Sequence, residues 1–158
     1  MDEAAKKTAL RMIPYGLFVM TCKDDKTMTG AAVNWLTQAS FAPPLVALGA
    51  KADAPSTAMV ESSGLFCINV METGQVPIAS AFFKHVEPEG NKFGDVEFTL
   101  SPNGLAVLND ALAYFECQVR ETVKLGDHWI FVGEVVEAGV QREGEPLTLA
   151  ETGFKYGG

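Results

Sequence analysis

The chain has 158 residues and a formal charge of −8, with 47% apolar and 20% charged residues. That length suits one domain over residues 1–158, and that apolar fraction supports a real core and excludes a disordered chain. The acidic balance and scattered cations argue against nucleic acid, since phosphate backbones attract basic patches. No run of about 18 apolar residues offers a transmembrane helix, and Met1-Asp2-Glu3-Ala4-Ala5-Lys6-Lys7 lacks the apolar centre of a secretory signal.

Residues 3–12 have helical composition, ended by Pro14 and Gly16. Leu17 to Cys22 reads as a strand, Lys23-Asp24-Asp25-Lys26 as a charged turn, and Met28 to Leu36 as the returning strand. Phe41-Ala42-Pro43-Pro44 forms a rigid corner before the apolar strand Leu45 to Ala50. Asp53 is placed to cap a helix opened by Pro55 and running to Ser62, with Gly64 as its stop. Leu65 to Met71 is a strand, Val76 to Phe83 a short helix, and Lys84 to Asp95 a polar loop. Two long strands follow, Ala113 to Val123 and Trp129 to Ala138, joined by the turn Lys124-Leu125-Gly126-Asp127. In the first, Tyr114, Glu116, Gln118, Arg120 and Thr122 alternate with Phe115, Cys117, Val119 and Glu121. The tail from Glu145 should hold one short strand and a coil ending in glycine.

Many strands with two or three short helices predict a closed, mainly β architecture and not alternating βαβ units. The absence of G-x-G-x-x-G and of a Walker loop argues against a Rossmann domain and a P-loop domain. Cys22, Cys67 and Cys117 lie far apart, and His85 is distant from His128. That spacing fits no metal site, so the cysteines read as small buried hydrophobes in a reducing compartment, with the cytoplasm as default.

Four segments in order are more specific. Gly30 to Leu45 places a strand of small and hydroxyl residues before a Pro-Pro corner and an apolar strand. Ser63-Gly64-Leu65-Phe66-Cys67-Ile68-Asn69-Val70-Met71, Gly126-Asp127-His128-Trp129-Ile130-Phe131-Val132-Gly133-Glu134-Val135, and Gly153-Phe154-Lys155-Tyr156 follow it. Together they resemble the flavin reductase-like family. The segments around Asn34 to Phe41 and Phe83 to Phe93 are most similar to the modules fused to flavodiiron proteins.

The resemblance implies an FMN-binding split β-barrel of Greek-key type with a few short helices. It also implies an NAD(P)H-dependent flavin reductase: FMN (or FAD) receives hydride from NAD(P)H. A non-enzymatic FMN electron carrier serving a redox partner is the other reading. A homodimer and a partner monooxygenase are implied as well.

Such a site needs donors for the flavin ring edge, an anchor for its phosphate, and an open face for nicotinamide. The family's ring-edge segment falls on Asn34, Trp35, Leu36 and Thr37, where Trp35 either stacks near the flavin or packs a strand. The segment from strand end to helix start supplies Ala50, Lys51, Ser56 and Thr57, because a helix N-terminus offers free N–H groups. Against it stand the charge of Asp53 and the missing N–H of Pro55. Phe83 and Lys84 lie on a helix the family places near the flavin. His128 is expected beside the nicotinamide and flavin rings, as the catalytic residue, with Tyr156 covering the nicotinamide side. Their alternatives are a histidine satisfying its own turn and a docked tail aromatic. Asn69 and Glu134 read as structural.

Overall fold

The computed structural model describes residues 1–158. Helix α1 (Glu3–Arg11) is capped by Asp2, whose carboxylate accepts from the N–H groups of Ala4 and Ala5. The hairpin β1 (Phe18–Lys23) and β2 (Met28–Val33) turns at Asp24, whose carboxylate holds the N–H groups of Lys26 and Thr27. The strand expected from Met28 to Leu36 is interrupted. β2 stops at Val33, and β3 (Leu36–Ser40) begins after Asn34 and Trp35.

β4 (Leu45–Lys51) leads into α2 (Pro55–Ser63), and β5 (Leu65–Val70) into α3 (Val76–Ser80). α3 is shorter than its sequence suggests, since Ala81 to Phe83 leave the helix as a turn. β9 (Ala113–Val123) and β10 (His128–Val140) are the two long strands. Between them and α3 lie β6 (Lys92–Phe93), β7 (Val96–Leu100) and β8 (Ala106–Leu108), a small sheet that residue patterning did not separate from loop.

The large sheet has the order β2-β1-β5-β9-β10-β4-β3, antiparallel throughout. Its two edge strands, β2 and β3, are neighbours in sequence. The chain therefore crosses the gap between the sheet's edges at Asn34-Trp35, closing the barrel covalently but not by a ladder. This is the mainly β, split-barrel architecture expected.

One face of the sheet encloses Met20, Val33, Val46, Leu48, Phe66, Ile68, Cys117 and Phe131, with Val60 of α2 packed among them. The other face of β1, with Leu17 and Val19, packs against Phe82, Phe93, Phe98, Leu108 and Leu147. Each fully buried side chain of this size contributes about 1.5–3 kcal/mol. Gly133 is required by close approach: a Cβ there would sit 2.7 Å from the Phe66 ring and 2.8 Å from Cys117 Cβ. The three cysteines are free and buried.

Two local expectations are corrected. Asp53 does not cap α2. The cap position is Ala54, which has no capping side chain, and Asp53 instead pairs with Lys51 at 3.4 Å. The tail carries single bridges at Pro146 and Thr148 and a one-turn helix, α4 (Leu149–Thr152), in place of a strand. Thr148 caps that turn, and Gly153 ends it at φ 74°.

Candidate functional site

A cavity of about 670 Å³ opens where the barrel is interrupted. Its walls come from five stretches: Thr29 to Asn34 of the edge strand, Gly49 to Lys51, Asp53 to Thr57, Phe82 to His85, and Phe154 to Tyr156, with His128 joining them. That size is ordinary for a cofactor pocket.

β4 and β10 pair in register His128↔Lys51 and Trp129↔Ala50. The start of β10 therefore lies directly beside the end of β4, and the next residues of the chain turn into α2. The corner is tied further by Ala52 N–H donating to the Asp127 carbonyl at 2.9 Å. Ladder register alone thus carries His128 to the segment that turns into α2.

His128 is held on both ring nitrogens. Nδ1 lies 2.9 Å from the Asp127 carboxylate and Nε2 lies 2.8 Å from the Tyr156 hydroxyl. The bond to His128 holds the Asp127 carboxyl below its ordinary range. An ionised Asp127 fixes the proton on Nδ1, so in the neutral ring Nε2 accepts from the tyrosine O–H. Trp35 stacks obliquely on both, with ring centroids 4.5 Å from His128 and 5.4 Å from Tyr156.

Of the residues expected from sequence, Asn34, Ala50, Lys51, Ser56, Thr57, Phe83, Lys84, His128 and Tyr156 all line this cavity. Trp35 lies behind it, packed on Gly49 and the His128 ring. Leu36 and Thr37 are not on the cavity wall; both belong to β3, where Leu36 packs on the barrel core and Thr37 is exposed. Thr57 is fully buried, and its hydroxyl donates to the Lys51 carbonyl at 2.7 Å, so that proton is already committed. Ser56 makes no such side-chain bond.

Two donors stand out. Asn34 Nδ2 and Trp35 Nε1 are buried with no hydrogen-bond partner. Buried donors without partners are rare and cost about 1–3 kcal/mol each; Asn34 also lines the cavity, so its amide marks a place for an acceptor there.

Patterning missed the wall residue Phe154 and, off the wall, the parts played by Asp127 and Glu116. Phe154 packs edge-on against Phe83, with centroids 5.4 Å apart, and so holds the tail over the opening. Asp127 was read only as a turn residue. Glu116, placed on a polar face of β9, is fully buried, bonded by the Ser101 hydroxyl and by Asn103 Nδ2 at 2.6 Å. Its only signal in sequence was an acid inside a long strand. Asn69 serves the fold as expected: its amide donates to the Val19 carbonyl and accepts from Leu108 N–H. Glu134 pairs with Arg120 at 2.7 Å.

The chain matches the family described as flavin reductase like domain over residues 10–158. It is 32% identical to a flavin reductase of Pseudomonas putida, covering 96% of this chain and 87% of that protein. It is 31% identical to the reductase subunit HsaB of a flavin-dependent monooxygenase from Rhodococcus jostii, covering 93% and 74%. Similarity extends to diflavin flavoprotein A 1 of Synechocystis, 30% identical over 85% of this chain, which spans only 24% of that longer protein. Among solved structures, the NADH:FAD oxidoreductase SgcE6 of Streptomyces globisporus, in complex with NAD and FAD fragments, superposes with a TM-score of 0.80. It is 28% identical, over 90% of this chain and 84% of that one. With the family matching all but the first nine residues and a full-length relative above 30% identity, this chain belongs to the flavin reductase-like family.

Proposed function

We propose that this chain is an NAD(P)H-dependent flavin reductase that uses FMN in the cavity at the barrel's interruption. The observation that carries the reading is the unpartnered Asn34 amide at the cavity wall, where a flavin's carbonyl and ring-nitrogen edge would supply the missing acceptor. Bound flavin supplies the two-electron acceptor for hydride from reduced nicotinamide.

The remaining work falls to the protein. Ala31 and Ala32 on β2 are small enough to admit a flat ring against the edge strand. Ser56 is the best phosphate anchor, because its hydroxyl is uncommitted and Pro55 leaves the Ser56 N–H as the first free donor of α2. Lys84 has no carboxylate partner and can approach the same anion, whereas Lys51 is shared with Asp53.

His128 and Tyr156 wall the opposite side. Tyr156 is 46% exposed and can swing away. His128 Nε2 is then free to accept from the carboxamide N–H of nicotinamide, with Asp127 keeping the ring oriented. Trp35, wedged behind His128, restricts where the imidazole can go. Positioning of this kind supplies most of the effect for a transfer that needs no acid or base.

A second copy fits the outer face of β10 around Ile130, with Val136 exposed at the strand's bulge and Phe41, just past β3, 89% exposed. These apolar residues support a homodimer. The name of HsaB supports a monooxygenase as the consumer of reduced flavin.

The test is a flavin spectrum of the purified chain, followed by anaerobic NADH and NADPH addition and by turnover with free FMN. Rapid nicotinamide oxidation dependent on added FMN is expected. A tightly held flavin with slow turnover would favour the electron-carrier reading instead, and no flavin binding at all would overturn both.

A further inference from the structure

The molecule has a second cavity, also of about 670 Å³, between α1 and the tail. Its wall includes Lys7, Arg11, Met12, Ile13, Tyr15 and Lys155, and it shares Leu149, Phe154, Lys155 and Tyr156 with the first cavity. The two therefore lie on either side of one stretch of tail.

Charge is sorted between these walls and the rest of the surface. The chain has 20 acidic residues, yet no carboxylate lines the second cavity and only Asp53 lines the first. Lys6, Lys51, Lys92, Arg120, Lys124 and Arg142 each have a carboxylate partner. Six cations have none: Lys7, Arg11, Lys84 and Lys155 each face one of the two cavities, whereas Lys23, bonded to the Asn103 carbonyl, and Lys26 lie at the β1–β2 hairpin away from both. The acids nearest in sequence are engaged elsewhere: Asp2 caps α1, Glu3 holds Lys6, and Glu151 holds Thr73 and the Gly74 N–H.

The cations are also held in place. Arg11 Nε donates to the Gly157 carbonyl at 3.0 Å, which steadies the guanidinium and leaves its two terminal nitrogens unbonded. Gly158 lies against the stem of Lys7, so closely that a Cβ there would come within 2.8 Å of Lys7 Cγ. Met12, Ile13 and Tyr15 add an apolar and aromatic wall suited to a purine face.

We propose that this groove binds the adenosine 2′-phosphate of the nicotinamide donor on Lys7, Arg11 and Lys155, so that the chain selects NADPH over NADH. The assignment rests on the reductase reading above for its source of nucleotide. The groove itself asks only for a purine bearing a phosphate dianion. A 2′-hydroxyl in place of that dianion would leave the cations without a counter-charge, and this difference is the basis of selection.

The test uses two fragments that lack nicotinamide. The full chain is titrated calorimetrically with 2′,5′-ADP and with 5′-AMP, and the same is done for Lys7→Ala/Arg11→Ala. The wild-type chain should bind 2′,5′-ADP at least about tenfold more tightly, as two charge-assisted contacts allow. The double variant should bring the two affinities together, and Lys7→Arg/Arg11→Lys should restore most of the gap. In turnover, the ratio of kcat/KM for NADPH to that for NADH should fall by about tenfold in the alanine variant. Both positions are on a helix with no buried residue, so folding is not at stake, and unchanged circular dichroism confirms it. Equal wild-type affinity for the two fragments overturns the proposal. Tight 2′,5′-ADP binding in a chain that oxidises neither nucleotide would overturn the reductase reading and leave the groove standing.

Discussion

Replacing Asn34 by leucine separates a residue that serves a ligand from one that serves the fold. Asn34 is 8% exposed, and its Nδ2 is buried without a partner. In the flavin-free protein that donor is a liability of about 1–3 kcal/mol. Leucine keeps the same branched heavy-atom skeleton without the buried donor, so where its bulkier methyls fit into the cavity the flavin-free variant should be as stable as the parent or more so. For a chain of this length each kcal/mol moves Tm by about 2–4 °C, so the expected change runs from none to a few degrees upward. Flavin affinity should move the opposite way. Loss of one neutral hydrogen bond costs about 0.5–1.5 kcal/mol, or roughly threefold to tenfold in Kd. The assay pairs thermal denaturation of the flavin-free protein with fluorescence titration by FMN. A variant that melts several degrees lower while binding FMN normally would refute the reasoning, because Asn34 would then serve the fold and not the ligand.

The His128→Ala change should slow anaerobic reduction by nicotinamide roughly tenfold to a hundredfold while FMN Kd changes less, read by stopped-flow absorbance. A reduction rate that stays put while FMN dissociates would reverse the assignment. Ser56→Ala should weaken FMN by at least about tenfold and riboflavin hardly at all, since riboflavin lacks the phosphate. Thr57→Ala should instead lower Tm and affect both flavins alike, because its hydroxyl bonds the Lys51 carbonyl. Glu116→Ala should cost about 2–4 kcal/mol in denaturant melts, as it strands the Ser101 hydroxyl and the Asn103 amide and leaves a void. The thiols of Cys22 and Cys117 are pushed up to about 12, with burial as the main cause and nearby Asp24 and Glu116 adding to it. At pH 8 neither should be alkylated by iodoacetamide until the chain unfolds; stoichiometric labelling of the native protein would contradict this.

The strands that were legible in sequence are those whose apolar residues had to face one core. Leu65 to Met71 read as a strand, and β5 is buried on both faces along its middle; Leu45 to Ala50 read as a continuous apolar run, although β4 alternates buried with half-buried residues. The small sheet β6-β7-β8 escaped because its strands are short and its apolar residues, Phe93, Val96 and Phe98, are spaced by turns. Asp53 was misread because aspartate before Ala-Pro is a normal capping signal, and only the fold puts Lys51 within reach of its carboxylate. The break after Val33 was invisible for a different reason. Asn34 and Trp35 suit a strand locally, and nothing nearby in sequence says that the sheet's two edges meet there.

That break also accounts for where the site is. A closed ladder would have consumed the backbone groups and side-chain room at β2, as a barrel leaves no free edge. Here β2 pairs only with β1, so its other edge faces outward, where Ala32 N–H already donates to the Phe82 carbonyl. The opening is then roofed from three directions: by the turn after α3, by the start of α2, and by the tail through Phe154 and Tyr156. The first is set by Gly30, where any Cβ would strike the Phe82 ring at 2.6 Å. The last is held by side-chain contacts, Phe154 to Phe83 and Tyr156 to His128 and Trp35, with its end tied to α1 through Arg11. Two walls thus belong to the framework of strands and helices, and the third is a tail whose Tyr156 is 46% exposed and can turn aside. On the proposed function, that is the side by which nicotinamide would reach the cavity.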